Sequence, residues 1–319
     1  MGPGIDMNNT AEKEKEFLAC IDNVYNQVRM FYRGIEILKD GRIICYDGLE
    51  KIKIYKYIDK KFILDFEFKI EYNDRSATCL CEVEENIIIF GCYMKLFLYD
   101  IRNNEAKLLQ KLEYGDYMND SFRIIKLSNG LIAGAIFNEI YFYKYDEENK
   151  KLEKKDEIKT TTNVLGIYET KNGNIISFFQ DEIIAYGKDK SIQFKIRNKK
   201  LYSLYDVIDG KYIFISYQNK EFGGGQSFVD VYDIKKLILK QTFETKYQLS
   251  QFIKLNDNLI IAADVFGNIH ELNIDENNKL SVKDIFRAND FKITKILKFD
   301  NNKILSIGQD GKVKLWEFN

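Results

Sequence analysis

His270 is the only histidine of the chain, set in Asn268-Ile269-His270-Glu271-Leu272. A catalytic triad or a zinc centre needs an imidazole oriented by partners. One imidazole on an alternating stretch reads as a surface or packing residue. Cys79-Leu80-Cys81 sets two thiols on one face of a strand. Structural zinc requires two further ligands and the sequence has no second cysteine pair, so buried core thiols are expected. Phe222-Gly223-Gly224-Gly225-Gln226-Ser227 has the backbone freedom to cradle a phosphate with N–H groups. It lacks the following helix and the Lys-Ser or Lys-Thr pair of such a loop, and a flexible hairpin loop is expected. Adjacent acids at Glu84-Glu85, Glu147-Glu148 and Asp275-Glu276 lie among Asn and Lys and read as solvated turns. Lys150-Lys151, Lys154-Lys155 and Lys199-Lys200 are flanked by acids or stand at strand ends. A nucleic-acid surface needs its lysines on one face with little opposing charge. These residues predict no enzyme, no cofactor and no metal.

Composition narrows the class further. The 319 residues carry 49 acids and 48 Lys plus Arg, a net charge of -1. No global field draws such a chain onto nucleic acid or an anionic membrane. No apolar run spans a bilayer, and the N-terminus lacks the apolar core of a signal peptide. Five cysteines (Cys20, Cys45, Cys79, Cys81, Cys92) are an odd number without a secretory signal, which predicts reduced thiols in the cytoplasm, with the nucleus as the alternative. Met1-Gly2-Pro3-Gly4-Ile5-Asp6 before Met7 reads as a cloning remnant, residues 1–16 as a flexible lead-in, and 17–319 as one domain.

The elements that must position any site repeat along the chain. Tyr55-Lys56, Tyr99-Asp100, Tyr143-Lys144, Tyr186-Gly187, Tyr232-Asp233, Leu272-Asn273 and Trp316-Glu317 each close an alternating apolar strand, at intervals of 44, 44, 43, 46, 40 and 44 residues. Before each mark runs a continuous apolar strand, from Ile43-Ile44-Cys45 to Lys303-Ile304-Leu305-Ser306, which fits an inner strand covered on both faces. The strand that follows alternates, as in Lys51-Ile52-Lys53-Ile54-Tyr55, which fits a half-exposed position. Four strands per 40–45 residues is the period of a propeller blade, and seven marks predict seven blades. Three residues follow Trp316, so the last blade lacks its outer strand. The N-terminal stretch near Phe17 to Asp22 is expected to supply it.

The last blade reads Ser306-Ile307-Gly308-Gln309-Asp310-Gly311-Lys312-Val313-Lys314-Leu315-Trp316-Glu317. A short strand, an Asp-Gly hairpin turn and a closing Trp-Glu pair resemble the WD-repeat β-propeller family. The resemblance implies an all-β, seven-bladed β-propeller of four-stranded antiparallel blades, in a eukaryotic setting. Blades of that family often carry a Gly-His pair whose His bonds the Asp of the tight turn. Here the approach to the last blade is Arg287-Ala288-Asn289-Asp290, and the turn positions of the other blades are Leu49, Tyr93, Phe137, Gln180, Gln226 and Phe266. The buried polar network is therefore expected to be mostly lost.

What the resemblance implies about function is a non-catalytic scaffold that grips a peptide or domain of a protein partner on its top face, inside a multisubunit assembly. Aromatics and arginine are the usual anchors of such faces. Blade phase places Arg75, Phe122, Asn163, Tyr202, Tyr247 and Lys292 on the loops entering each blade, with Tyr93, Phe137, Gln180 and Phe266 on the tight turns. The alternative is a propeller that binds phosphoinositides at a membrane. Phe31-Tyr32-Arg33-Gly34 is similar to the Phe-Arg-Arg-Gly motif of such propellers, but has one arginine and lies near the first blade. Membrane contact, nucleic acid and a small-molecule substrate are not expected.

Overall fold

A computed structural model describes residues 14–19, 34–46, 51–70, 79–92, 94–115, 123–197, 204–218, 226–277, 279–309 and 312–318. The chain forms seven four-stranded antiparallel sheets, six of them from strands consecutive in sequence. The seventh joins Ile293–Lys298, Lys303–Gly308 and Lys312–Glu317 to Glu14–Ala19 from the opposite end of the chain. The expected closure is thus present; its strand starts at Glu14, and Asp22 lies outside the described residues. Among the described residues no helix is long and apolar enough to cross a membrane.

The sequence marks have a structural cause. Every blade has a register shift between its third and fourth strands, and each falls at the mark: Ile54/Tyr55, Leu98/Tyr99, Phe142/Tyr143, Ala185/Tyr186, Val231/Tyr232 and Glu271/Leu272. In the seventh blade the shift lies between Glu14 and Glu16, opposite Trp316 and Leu315. One extra residue on the outer strand bends it and increases local twist. An outer strand needs that twist to follow the edge of a wedge-shaped blade.

Second strands are buried along their centres in every blade, and over their whole length in Ile43–Tyr46 and Leu259–Asp264. Third strands depart from the half-exposed expectation. Lys51–Ile58 buries four successive residues, Lys53 included. Neighbouring blades cover both faces, so polar side chains there need partners. Glu271 meets Lys283 Nζ at 3.1 Å, and Asp230 accepts from Thr242 Oγ1 at 2.7 Å.

The apolar core is divided by interface rather than gathered at one centre. Seven buried clusters each join two adjacent blades; one unites Ile35, Ile43, Cys45 and Tyr55 of the first with Leu305, Ile307, Val313 and Leu315 of the last. First strands of neighbouring blades adjoin one another, as Cys79–Glu84 does Arg123–Lys126 and Leu249–Asn256 does Ile293–Lys298, and line the channel. Polar side chains tie them together. Glu84 ends the first strand of blade 2 beside the exposed turn residue Glu85 and, with its own side chain 45% exposed, pairs with Lys126 at 3.0 Å and with Lys39. Ser128 donates through N and Oγ to Glu169, both at 2.7 Å. Gln251 accepts from Ile296 N and donates to Thr294 O, both at 2.7 Å. Lys295 closes the circle on Glu36.

Cys45 and Cys92 are buried, whereas Cys79 and Cys81 are only half-buried, because the first strand of blade 2 (Cys79–Glu84) faces the channel. Burial, then Glu36 and Cys79, push the Cys81 thiol up to about 12. Cys20 and the glycine run 223–225 lie outside the described residues. Among the described residues no three His, Cys, Asp or Glu side chains gather as a metal site.

Candidate interaction site

The sixth and seventh blades hold the polar networks that the sequence reading expected to be mostly lost. In blade 6, Asp264 closes the second strand and His270 lies on the third, both wholly buried. His270 Nε2 donates to Asp264 Oδ2 at 2.9 Å, while Nδ1 has no partner among the described residues. The same carboxylate accepts from Phe266 N at 2.8 Å, Asn268 N at 3.0 Å and Asn268 Nδ2 at 2.7 Å. Burial alone would push the Asp264 carboxyl up, but the His270 and Asn268 bonds outweigh it and hold it below its ordinary value. This carboxylate organises the tight turn that carries Phe266. The signal was in the sequence as Asp264 six residues before His270.

Blade 7 does the same with other residues. Trp316 Nε1 donates to Ser306 Oγ at 2.9 Å, and Ser306 Oγ donates to Asn289 Oδ1 at 3.2 Å. All three are buried. Asn289 therefore supplies an amide acceptor on the loop entering the blade; Asp310 lies outside the described residues.

The two supported loops interlock. Ala288 N and Asn289 N donate to Gly267 O at 3.0 and 2.9 Å. Gly267 has φ +95, and a Cβ there would stand 2.3 Å from Phe291 O, so only glycine fits. Arg287 Nη1 donates to Phe266 O at 2.6 Å and Nη2 to Asp290 O. From this fixed backbone Phe266 and Phe291 project 52% and 56% exposed. Tyr247, half-buried, lies 5.1 Å from the Phe266 ring and 6.5 Å from His270, with Lys246 Nζ 5.2 Å over its own ring. Lys292 follows Phe291, its carbonyl accepting from Gln309 N at 2.9 Å.

Of the residues placed by blade phase, Tyr247, Phe266 and Lys292 come together here. Phe137 and Asn163 neighbour each other elsewhere, where Val164 N donates to Phe137 O at 2.6 Å; Phe137 is half-buried against the core between blades 2 and 3. Gln180 is exposed, its carbonyl 3.4 Å from Tyr205 Oη. Arg75, Tyr93, Phe122 and Tyr202 lie outside the described residues. Phe291 and Arg287 were missed because blade phase selects one position per loop, Lys292, and both precede it.

The channel carries one unusual acid. Asp206, on the first strand of blade 5 (Leu204–Ile208), accepts from Phe252 N at 2.7 Å, from its neighbour Val207 N at 2.8 Å and from the Tyr168 hydroxyl. The residue keeps some surface, but its carboxyl is enclosed, and burial outweighs these bonds to push it up to about 6. A carboxyl raised on folding favours the folded state while protonated. That stability is full below the unfolded value of 3.8 and is lost as pH rises towards 6. Relative to Asp206→Asn, which does not titrate, the parent is expected to lose up to about 3 kcal/mol between about pH 4 and pH 7. Denaturant melts of both proteins across that range measure it; a constant difference refutes the raised acid.

Seven four-stranded blades round a channel, closed by an N-terminal strand, define a seven-bladed β-propeller. Many solved structures share it, among them the two that follow. A chain in the crystal structure of the mitotic checkpoint complex matches with TM-score 0.74 at 9% identity, over 100% of this chain and 96% of that one. The WD40 domain of Neurospora crassa Pan2 matches with TM-score 0.73 at 10% identity, over 94% and 93%. At such identity the likeness is one of fold. No family model and no curated protein matches the sequence.

Proposed function

We propose that this chain is a non-catalytic interaction scaffold that holds a peptide or domain of a protein partner on the top face of blades 5 to 7, as one subunit of a larger assembly. The observation that carries this reading is the exposed pair Phe266 and Phe291, each on a loop pinned by a buried polar network. Large apolar side chains held rigid in water bind at little entropic cost, which is the usual character of an interface hot spot. Arg287, Lys246 and Lys292 give the patch a cationic border. The channel acids support a structural rather than catalytic role, since Glu36, Glu84, Glu169 and Asp206 are each bonded to the next blade.

The test is affinity capture from the source organism's lysate with the parent and the Phe266→Ala, Phe291→Ala double variant side by side. Each truncation is expected to cost about 2 kcal/mol of binding, so the variant loses the retained partners. Both side chains point into solvent, and the melting temperature should not fall. If the variant keeps every partner that the parent keeps, the top-face site is wrong.

A further inference from the structure

On the face opposite Phe266, a cavity of about 670 Å³ opens between blades 1 and 2. Blade 1 lines it with the Asp40-Gly41-Arg42 turn, the strand end Lys56-Tyr57-Ile58 and Asp65. Blade 2 adds Asn86 and the Arg102-Asn103-Asn104 turn. Arg42 lies low in it, its side chain 11% exposed. Its Nε donates to Asp40 Oδ2 at 2.8 Å, Nη1 to Asp65 Oδ2 at 3.1 Å and Nη2 to Asn86 Oδ1. Lys56 Nζ donates to the other Asp65 oxygen at 2.6 Å. Burial alone would push the Asp65 carboxyl up, but the Lys56 and Arg42 bonds outweigh it and hold it below its ordinary value.

The fold does not require this network. Asp65 is the extra residue of the outer-strand bulge, and the same position holds Leu109, Lys155, Gln193, Lys240 and Lys283 in blades 2 to 6. No other blade has an arginine directly before its second strand. Sunken ion pairs stabilise little beyond an apolar floor, but they fix the direction in which a guanidinium points. What they leave open is donors. The lining carries three cations, Arg42, Lys56 and Arg102, against two carboxylates, Asp40 and Asp65. Both oxygens of each carboxylate already accept from Arg42 or Lys56. Asp100, outside the lining, accepts from Arg102 N and Nε at 3.1 and 2.8 Å and from Nη2. Asp59 and Glu105 adjoin the lining in sequence without entering it. Among the described residues, an N–H on each terminal nitrogen of Arg42, both on Arg102 Nη1 and the remaining Lys56 protons have no acceptor. Cations arriving from three elements of two blades suit the three free oxygens of a phosphate ester, where a planar carboxylate offers two. A phosphate fills only part of the space. The exposed amides of Asn103 and Asn104 stand beside it, able to give and accept hydrogen bonds with hydroxyl groups.

We propose that this cavity binds a small hydroxylated phosphate monoester, its phosphate held by Arg42, Lys56 and Arg102 and its hydroxyl groups by Asn103 and Asn104. The site is separate from the top face and does not rest on that reading. The test is titration calorimetry of the full chain with glycerol phosphate, inorganic phosphate and glycerol at constant ionic strength. Glycerol phosphate is expected to bind about tenfold tighter than inorganic phosphate, through the added hydroxyl bonds, and glycerol not at all. Arg102→Ala should weaken glycerol phosphate at least about tenfold, and Arg102→Lys less. The Arg102 side chain is 49% exposed, so Arg102→Ala should melt like the parent, and lost binding is not lost folding. Arg197→Ala removes an exposed arginine from the outer strand of blade 4 and should bind like the parent. Absence of binding by both phosphate compounds overturns the proposal, as does equal affinity of the parent and Arg102→Ala. Equal losses in Arg102→Ala and Arg197→Ala would reveal a general attraction of anions to the surface and overturn the site. Inorganic phosphate binding as tightly as the ester would overturn the role of Asn103 and Asn104.

Discussion

Trp316→Ala is expected to destabilise the protein by about 4 kcal/mol, lowering its melting temperature by roughly 10 °C. Trp316 is 1% exposed and packs between blades 6 and 7, with its ring 5.3 Å from Phe286. Alanine leaves a cavity there, because closely packed strands cannot collapse into it. It also removes the donor to Ser306, whose Oγ links the indole to Asn289. Trp316→Phe separates the two causes, since it keeps most of the volume and loses the N–H. That variant should cost about 2 kcal/mol or less. Thermal melts of both decide the matter, and equal losses would mean that the hydrogen bond dominates. A further consequence reaches the surface: Asn289 begins the loop that carries Phe291, so Trp316→Ala should weaken partner capture even at temperatures where the protein remains folded.

The ring was legible because its physics repeats. Each blade must bury a second strand on both faces and bend its fourth strand at one fixed point, so apolar runs and bulge positions recur near every 44 residues from Tyr55 onward. The third strands were misread as half-exposed because alternation in sequence normally means one wet face. Here Lys53 and Glu271 are polar residues enclosed by the next blade, and alternation cannot reveal that. The polar networks were missed for a related reason. Comparing each turn with one Asp position overlooked that Asp264, two residues before Phe266, serves the same turn from the strand end, and that Asn289 can reach Ser306 in place of an imidazole. Both substitutions preserve hydrogen-bond chemistry while changing the letters.

Candidate binding residues were harder still. Blade phase says which loop lies on which face, but not how exposed each side chain is. Phe137 and Phe266 occupy equivalent turns, yet one packs between blades and the other stands 52% exposed. The turns themselves differ: in blade 3 Ile136 pairs with Glu139 across two residues, whereas in blade 6 Ala263 pairs with Ile269 across a longer turn whose Phe266 and Asn268 N–H groups donate to Asp264.

Removal of residues 1–19 is expected to open the ring at one seam. Glu14–Ala19 pairs with the third strand of blade 7 at Trp316, Leu315, Lys314, Val313 and Lys312. Among the described residues it is the only strand pairing that joins the two ends of the chain. Without it the seam between blades 7 and 1 is held by the Ile35, Tyr55, Ile307 and Val313 cluster and by the Lys295–Glu36 pair. Each of the five lost pairings contributes about 1 kcal/mol net, so the loss is about 3–5 kcal/mol and the melting temperature falls by roughly 10 °C. Hydrogen exchange locates the damage: amides of Lys303–Gly308 and Lys312–Glu317 should lose protection first, while Ile175–Phe178 of blade 4, on the far side of the ring, stays protected. Adding a synthetic peptide of residues 1–33 should restore the transition, because strand pairing does not require the covalent link. A truncated protein that melts like the parent would show that packing at the seam, and not the shared strand, closes the ring. Loss of protection spread evenly over all blades would instead show that the blades unfold as one unit, with the seam no weaker than the rest.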